Sequence, residues 1–414
     1  MKLLVVGGKL QGTEAAYLAA KAGWDVVLVD RRPDPPAAGL AARNVLADIT
    51  KDDGFARSLV ASCDAVLPAC EDLATLEWLT ERVDAWGGPL LFDLPAYRVT
   101  QSKTASRELF ERLGVPLPAP WPACGFPAVV KPDSASGSDG VAVVHDVAAL
   151  ERALAVLRAA GHEPLVEEYV AGPSLSYEVL AAGGRAVALQ ATGLEFDSAY
   201  DCKRVVAPVG EVPAGEQPAL VGPDGSTDWG RAVPAGALGR FADVSVRLAE
   251  GLGLCALMDV EVMVRDGRPL LLEIDARLPS QTPTAVYWSS GLNIVEALYD
   301  TVAHGVLPAD PVPARACVYQ HVRVHSGLAE VSGEHIMGSS APLRLVPGFY
   351  GADEALTDRA PGATAWSATL IVSGSTATEA GKAASQVLRD LADGERLELL
   401  PETVEAAVTE EVPR

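Results

Sequence analysis

The densest concentration of reactive side chains in the chain lies between residues 257 and 277. Glu261 and Glu273 sit in two alternating runs, 258–264 and 270–274, on either side of Asp266-Gly267, a pair suited to a hairpin turn. On paired neighbouring strands that alternation sends both carboxylates, with Asp275, to one face. Three carboxylates on one face repel one another unless a cation sits between them. Oxygen-only ligands suit Mg²⁺, which is held by one or two carboxylates together with substrate phosphates. Arg277 follows two residues after Asp275, where a cation would help neutralise a transferring phosphoryl group. The competing reading makes these acids the solvent face of a hairpin, and the unusually apolar run around them speaks against it.

A second constellation begins at Lys131, which ends the apolar run 128–130 and precedes Pro132 and the stretch Ser134-Ala135-Ser136-Gly137-Ser138-Asp139-Gly140. Such small residues let backbone N–H groups approach phosphate closely, so the stretch reads as a flap over nucleotide phosphates with a lysine at its base. An ordinary Ser/Gly hairpin fits the same residues. The spacing is not that of a Walker A loop. Glu167-Glu168-Tyr169-Val170 ends another apolar run, and Glu178 lies inside the next. A strand end with acids and a free backbone edge has the groups needed to hold adenine and ribose. Near the N-terminus, Gly7-Gly8-x-x-x-Gly12 follows a short apolar run, with Asp30 at the place of a ribose-binding acid. The spacing is GGxxxG rather than GxGxxG, and a helix N-terminus accepts a carboxylate as readily as a pyrophosphate. A nicotinamide oxidoreductase therefore stands as an alternative. The six histidines form neither HExxH nor an evident triad; His321 and His325 fall in a strand-like run and read as ordinary residues.

The elements that must position these residues fall into three segments. Strands are expected at 3–6, 25–29, 65–68 and 89–92, alternating with helices at 13–22 and 73–86, which predicts a doubly wound α/β domain. A helix at 103–113 leads into the Pro-rich stretch 116–127. Beyond it lie strands at 128–131, 141–145, 164–168, 176–181 and 186–191, with a helix at 147–160, an α+β pattern. Residues 210–232 are rich in Gly, Pro and acid and read as a loop. A helix at 238–252 precedes the 256–264/269–274 strand pair. A strand at 366–372, a capping box at Thr376-x-x-Glu379 and a strand at 396–400 complete the pattern.

With 414 residues, 49% of them hydrophobic and 21% charged, the chain suits two or three globular domains. A formal charge of −22 speaks against nucleic acid, whose phosphates need a concentrated basic surface. Six scattered cysteines without CxxC spacing fit neither a disulfide framework nor structural zinc. The apolar run before Gly7 is too short for a signal-peptide core, and no window approaches the roughly 20 apolar residues of a spanning helix. A soluble, cytoplasmic protein without membrane partners is expected. The helix 292–303 contains no Gly or Pro and leaves a homodimer open, although core packing explains it equally well.

Taken in order, GGKLQG, the Lys103 helix, VVKP, SASGSDGV, VEEYV, DVE and EIDAR resemble the ATP-grasp superfamily of ligases over nearly the whole chain. Within it the stretches VGGKLQGTEAAYLAAKAG, Tyr200-Asp201-Cys202, LMDVE and EIDARLPSQTPTAVYWSSGLNIVEALY are similar to the pyrrolysine-biosynthesis ligases, which join 3-methyl-D-ornithine to L-lysine. The resemblance implies a Rossmann-like pre-ATP-grasp domain over 1–98, a central ATP-grasp domain with the flap over 99–195, and a C-terminal ATP-grasp domain with metal and substrate sites over 196–414. It implies ATP and Mg²⁺ as cofactors and two amino acids as substrates.

Residue by residue, the resemblance gives Lys103 and Lys131 to the ATP phosphates, closed over by Ser136, Gly137 and Ser138. The hinge Glu167, Glu168, Tyr169, Val170 would receive adenine, and Glu168 or Glu178 the ribose hydroxyls. Glu261, Glu273 and Asp275 would hold Mg²⁺. Arg277, Ser280, Thr282, Thr284 and Tyr287 would bind the activated amino acid, with Arg277 and Glu273 as the catalytic pair. Lys9, Leu10, Gln11, Glu71 and Asp72 would face the second substrate, and Asp201 would bind an amino group. Two departures, the long 210–232 loop and Cys70 in the presumed lysine pocket, leave the exact substrates open. A ligase making another dipeptide and a non-catalytic nucleotide-binding protein remain alternatives.

Overall fold

The computed structural model describes residues 1–133, 140–216 and 229–401. The expected flap residues Ser136, Gly137 and Ser138 and part of the 210–232 loop lie outside the described residues.

The N-terminal unit is a parallel sheet in the order β3-β2-β1-β4, built from β1 (Lys2–Val6), β2 (Asp25–Asp30), β3 (Arg43–Leu46) and β4 (Ala65–Pro68). The runs of β1, β2 and β4 are continuously apolar because helices cover both sheet faces. Strand β3 is short and largely exposed, two polar residues followed by two apolar ones, which is why alternation did not mark it. The expected strand at 89–92 is reduced to one parallel bridge, Val66 to Leu90. Helix α1 (Leu10–Lys21) starts three residues earlier than expected, the Thr13 N–H donating to Lys9 O at 2.8 Å. It follows β1 through Gly7, whose φ of +105° is open to glycine; a Cβ there would lie 2.5 Å from Ala69 O. Helices α2 (Asp53–Val60), α3 (Leu73–Trp86), α4 (Leu94–Thr100) and α5 (Lys103–Leu113) complete this half.

A small antiparallel sheet follows, β6-β5-β7, made of β5 (Ala128–Pro132), β6 (Ala142–Val144) and β7 (Pro164–Glu168). Helix α6 (Val147–Ala159) packs Leu150 and Leu157 onto Ala128, Val130 and Val144, a separate small core.

The remaining strands form an 11-stranded sheet. Its main path is β14-β13-β8-β9-β10-β15-β19-β18-β17, from β8 (Ser174–Ala182), β9 (Arg185–Phe196), β10 (Cys202–Ala207), β13 (Leu257–Arg265), β14 (Arg268–Asp275), β15 (Ala316–His325), β17 (Arg344–Pro347), β18 (Glu354–Thr357) and β19 (Trp366–Gly374). Strand β16 (Leu328–Val331) pairs with β15, and β20 (Glu398–Leu399) pairs with β16. The short β11 (Glu211–Val212) and β12 (Val233–Pro234) pair apart from it. Helices α7 (Ala237–Leu252) and α11 (Ala377–Glu395) cover one face; α1, α8 (Thr282–Ser290) and α9 (Ile294–His304) cover the other. The short α10 (His335–Gly338) lies after β16. The sheet crosses the expected boundary at 195, because β8 and β9 hydrogen-bond into it. The apolar side of α9, which had left a homodimer open, is buried in the chain's own core through Ile294, Val295 and Leu298. No helix among the described residues is long and apolar enough to cross a membrane.

Candidate active site

The β13–β14 hairpin turns at Asp266 (φ +51°) and Gly267 (φ +72°), the left-handed pair that its sequence suggests. Its register sets Glu261 opposite Glu273 and Asp259 opposite Asp275. Across the other edge of β13, Asp259 faces Glu178 and Glu261 faces Ser176 on β8. Directly opposed residues share a face, so five carboxylates lie on the side of the sheet that α8 covers: Glu178, Asp259, Glu261, Glu273 and Asp275. Asp259 stands two residues before Glu261 and belonged to this face by alternation alone.

These acids crowd one another over a gradient of burial: Glu178 and Asp259 are buried, Glu261 and Asp275 half-buried, and Glu273 exposed. Burial, and then the charges of Glu273, Asp259 and Glu334, push the Glu261 carboxyl well above the usual range. Burial raises Asp275 to about 7 against the pull of Arg277. Asp259 is raised by burial although Ser176 donates a hydrogen bond to it. Asp275 Oδ1 is buried without a hydrogen-bond partner among the described residues. Carboxylates that retain protons for want of positive charge, one with an orphaned oxygen, suit a hard divalent cation. Among the described residues only Asp197, Asp201 and His335 bring three ligating atoms within 4.8 Å of one another. Glu261, Glu273 and Asp275 do not bring their carboxylate oxygens that close together.

Beside the hairpin opens a cavity of about 300 Å³. Strand β14 forms its floor with Leu271, Glu273 and Asp275, α5 contributes Lys103 and Phe110, and the small sheet contributes Lys131 and Glu167. Two contacts hold the floor: Leu271 N–H donates to Pro116 O at 2.9 Å, and Ala276 N–H to the Thr100 hydroxyl at 3.1 Å. Lys103 opens α5, which Ser102 caps by accepting from Ala105 N–H. Lys131 pairs with the buried Glu167. Two ammonium groups, the Glu167 acid and two β14 carboxylates thus line one slot between separate elements.

The rest of the expected ATP set is placed differently. Glu168 does not line the cavity: it accepts Ala119 N–H at 3.1 Å and pairs with Arg265, and these bonds outweigh burial and lower its pKa. Tyr169 and Val170 continue the chain beyond β7, Val170 being buried and Tyr169 N–H donating to Pro127 O. Glu178 is 0% exposed under α8 and its pKa is raised by burial, so it stands in the carboxylate face. Sequence alternation could not reveal this, because the placement depends on β8 pairing with β13, some 80 residues away.

Arg277 joins the halves of the molecule. Its Nη2 lies 3.0 Å from Glu71 Oε1, and its Nε lies 2.8 Å from Asp275 Oδ2, out of line for a hydrogen bond. Glu71 Oε1 also accepts from Gln11 Nε2 at 3.0 Å. The N-terminal unit, through Gln11 and Glu71, therefore meets the acid strand at one guanidinium. Of the other residues expected to face the second substrate, Asp72 caps α3 through Thr75 N–H, Leu10 packs partly buried against the core, and Lys9 is exposed. Asp30 accepts Gly8 N–H at 2.8 Å and is bonded by Arg32, so it holds the glycine turn itself. A Cβ on Gly8 would lie 2.8 Å from Pro35. That filled turn has no place for the ribose of a dinucleotide.

The segment after Arg277 contains residues that spacing did not single out. Ser280 donates to Glu334 Oε2 at 2.6 Å, and Gln281 Nε2 donates to the same oxygen at 2.7 Å. Gln281 has φ +72° and ψ −58°, with Thr282 N–H donating to Ser280 O at 2.8 Å, which is a γ-turn of the rare, strained hand. Such a conformation costs on the order of 1–3 kcal/mol and persists where the surroundings impose it. Beneath it, Glu14 of α1 is 1% exposed and accepts Thr284 N–H at 2.6 Å; burial raises its pKa to about 7. Thr282 and Thr284 are buried, their hydroxyls beside the Glu178 and Glu14 carboxylates, and Tyr287 is partly buried against the core. Asp201 is 7% exposed, and its Oδ2 accepts both His335 N–H and the His335 ring. His321, read as ordinary, is 1% exposed against Thr369, and burial lowers its pKa to about 3.

No family model matches the chain. The ADP complex of N5-carboxyaminoimidazole ribonucleotide synthetase is similar with a TM-score of 0.66 at 15% identity, over 95% of this chain and 97% of that one. The biotin carboxylase domain of Hydrogenobacter thermophilus 2-oxoglutarate carboxylase, solved with MgADP and bicarbonate, reaches 0.67 at 15% identity, over 94% and 89%. The fold is accordingly that of the ATP-grasp enzymes. The 3-methyl-D-ornithine–L-lysine ligase of Methanosarcina barkeri is 36% identical over 339 residues, 81% of this chain and 83% of that one. The chain belongs to this ligase family and is by class an ATP-dependent, ADP-forming, amide-bond ligase.

Proposed function

We propose that the chain joins an ornithine-like amino acid, 3-methyl-D-ornithine, to the ε-amine of L-lysine at the expense of ATP, as a step of pyrrolysine biosynthesis. The relative from Methanosarcina barkeri carries that activity in its name. The observation that carries the reading to these residues is the chain of contacts from Gln11 through Glu71 and Arg277 to Asp275. It brings the N-terminal unit and the acid strand to one positive charge, the arrangement needed when an acyl phosphate on one side meets an amine on the other.

In this reading ATP lies in the cavity between α5, the small sheet and β14, its phosphates neutralised by Lys103 and Lys131. Ser136, Gly137 and Ser138 would close over them. Glu261, Glu273 and Asp275 would hold Mg²⁺, which offsets phosphate charge. A carboxylate oxygen of the first amino acid attacks the γ-phosphorus; the bond to the β,γ-bridging oxygen breaks, releasing ADP and leaving an acyl phosphate. The lysine ε-amine, in its neutral form, attacks the carbonyl carbon. The bond to the phosphate oxygen then breaks, phosphate departs and the amide remains. The protein's part is positioning and charge neutralisation. Arg277 stabilises the negative charge in both steps, and Glu71, within reach of Arg277 and Gln11, is assigned the amine proton.

The acyl phosphate gives a direct test. With ATP, Mg²⁺ and D-ornithine but no lysine, hydroxylamine should trap a hydroxamate whose yield matches the ADP released. ADP release without hydroxamate would rule out carboxylate activation.

A further inference from the structure

Away from the acid strand and the ATP cavity, a second group of ligating side chains converges. Asp197 follows β9 and Asp201 precedes β10, the two ends of a tight turn. Asp197 N–H donates to Asp201 O at 2.9 Å, and Tyr200 at φ +61° completes the reversal. Asp197 Oδ1 accepts the Ala199 and Asp201 amides at 2.8 and 3.1 Å, and its Oδ2 accepts Gly333 N–H at 3.0 Å. Asp201 Oδ2 accepts the His335 amide at 3.0 Å and also the His335 ring. These bonds pin the turn to the segment between β16 and α10, 134 to 136 residues further along the chain. Ligating atoms of Asp197, Asp201 and His335 lie within 4.8 Å of one another. Asp201 is buried and Asp197 half-buried, whereas the His335 side chain is 62% exposed, so the group opens to solvent on one side. A buried orphan lies beside it. His321 bonds the Thr369 hydroxyl through Nδ1 at 2.9 Å, while its Nε2 is buried with no partner among the described residues. His321 O accepts Ser332 N–H at 3.2 Å, next to Gly333, and His335 is the charged group whose field reaches the His321 ring. A buried ring nitrogen left without a partner is rare in a finished core and marks a place for a water or a ligand.

We propose that Asp197, Asp201 and His335 bind Zn²⁺, with water in the remaining coordination position and His321 Nε2 hydrogen-bonded to that water. The donor set chooses the ion. One imidazole and two carboxylates suit Zn²⁺, whereas Mg²⁺ and Ca²⁺ take oxygen alone. Three protein ligands and a water are the coordination that zinc adopts in open sites. Two carboxylates sharing one space need positive charge between them. His335 supplies it only while protonated; a divalent ion supplies it at neutral pH and releases the ring proton as it binds. The backbone amides that hold Asp197 and Asp201 orient the ligands before the ion arrives, the part that outer hydrogen bonds play at metal sites. This site shares no residue and no strand pair with the Mg²⁺ set on the hairpin, and the inference does not rest on the ligase reading. Bound there, the ion would tie the β9–β10 turn to the segment that carries Glu334, and so steady the turn that Ser280 and Gln281 make against Glu334.

The test uses the full-length chain, freed of metal by dialysis against EDTA and titrated with Zn²⁺ alone in competition with a chromophoric chelator. It is run in the Glu273→Gln background, so that the hairpin acids do not contribute. A single Zn²⁺ should bind at micromolar free metal and raise the Tm. Adding Asp197→Asn or His335→Gln should weaken uptake by about a hundredfold or more, beyond the cost of losing a group that only orients a ligand, and remove the rise in Tm. The His335 side chain is exposed, so its replacement leaves the packing intact, and ATP binding by that variant confirms that it is folded. Co²⁺ in place of Zn²⁺ should give visible d–d absorption without the intense near-ultraviolet band of thiolate ligation, which separates the site from the free cysteines. No uptake at micromolar Zn²⁺, uptake unaffected by His335→Gln, or a thiolate band would each overturn the proposal and leave the three residues as a hydrogen-bonded staple.

Discussion

Glu14 offers the sharpest physical prediction, because its cost can be worked out from its surroundings. It lies on α1 in the N-terminal half, is 1% exposed, and accepts the Thr284 amide of α8. Burial, only partly offset by its bonds to Thr284 and Gln281, raises its pKa from 4.5 to about 7. Between those values the folded chain binds a proton that the unfolded chain has released, so folding loses stability as pH rises. The favourable contribution is complete below about pH 4.5 and is gone above about pH 7. For this shift the loss between pH 5.5 and 8 is about 2 kcal/mol, taking 1.36 kcal/mol per pKa unit. Glu14→Gln keeps the shape and an acceptor for the amide but cannot ionise. Urea unfolding of both proteins at pH 5.5 and 8 checks the argument, because other titrating groups cancel in the difference. Wild type should lose about 2 kcal/mol more than the variant over that interval. Equal losses would show that Glu14 does not titrate in this window and would refute the picture of a dry acid clamped beneath the turn.

Further expectations concern the acid strand and the glycine turn. Glu273→Gln removes an oxygen ligand facing Glu261 and should abolish ADP release while leaving the melting temperature near wild type; normal turnover would remove Glu273 from the site. Arg277→Ala should lower kcat by on the order of a hundred- to a thousandfold, with little change in KM for ATP, because its charge is needed where negative charge develops; steady-state ADP release decides this. Gly7→Ala, with φ +105° and a Cβ 2.5 Å from Ala69 O, should destabilise the chain by about 1–3 kcal/mol. Since Ala69 leads to Glu71, KM for lysine should rise more than KM for ATP, and an unchanged lysine KM would break that link.

Much of this architecture was legible because it depends on local pattern. Buried parallel strands such as β1 and β4 are continuous apolar runs, and the Asp266-Gly267 turn set the hairpin, but Glu261 meets Glu273 only through a bulge between Glu261 and Val262 that no turn residue announces. The start of α1 was misplaced because Gly12 lies inside the first turns of the helix, where glycine normally argues for a loop. Strand β3 escaped notice because both of its faces are largely wet. At the site, Lys131, Glu273 and Arg277 follow from spacing, but the company they keep does not. Glu178 joins the acids through a pairing of β8 with β13, Glu14 arrives from α1, and Glu334 comes from a loop without any motif. Long-range contacts of that kind have no signature in a window of sequence, and the strain at Gln281 shows only in its backbone angles.

The central claim is most directly tested by ADP release with ATP and Mg²⁺ in the presence of D-ornithine, L-lysine or both, with mass detection of the product. The account predicts sustained ADP release that requires both amino acids and a product mass equal to their sum less water. Tight ATP binding with no ADP formed from the pair would contradict the assigned substrates, and a chain that does not bind ATP would contradict the account as a whole.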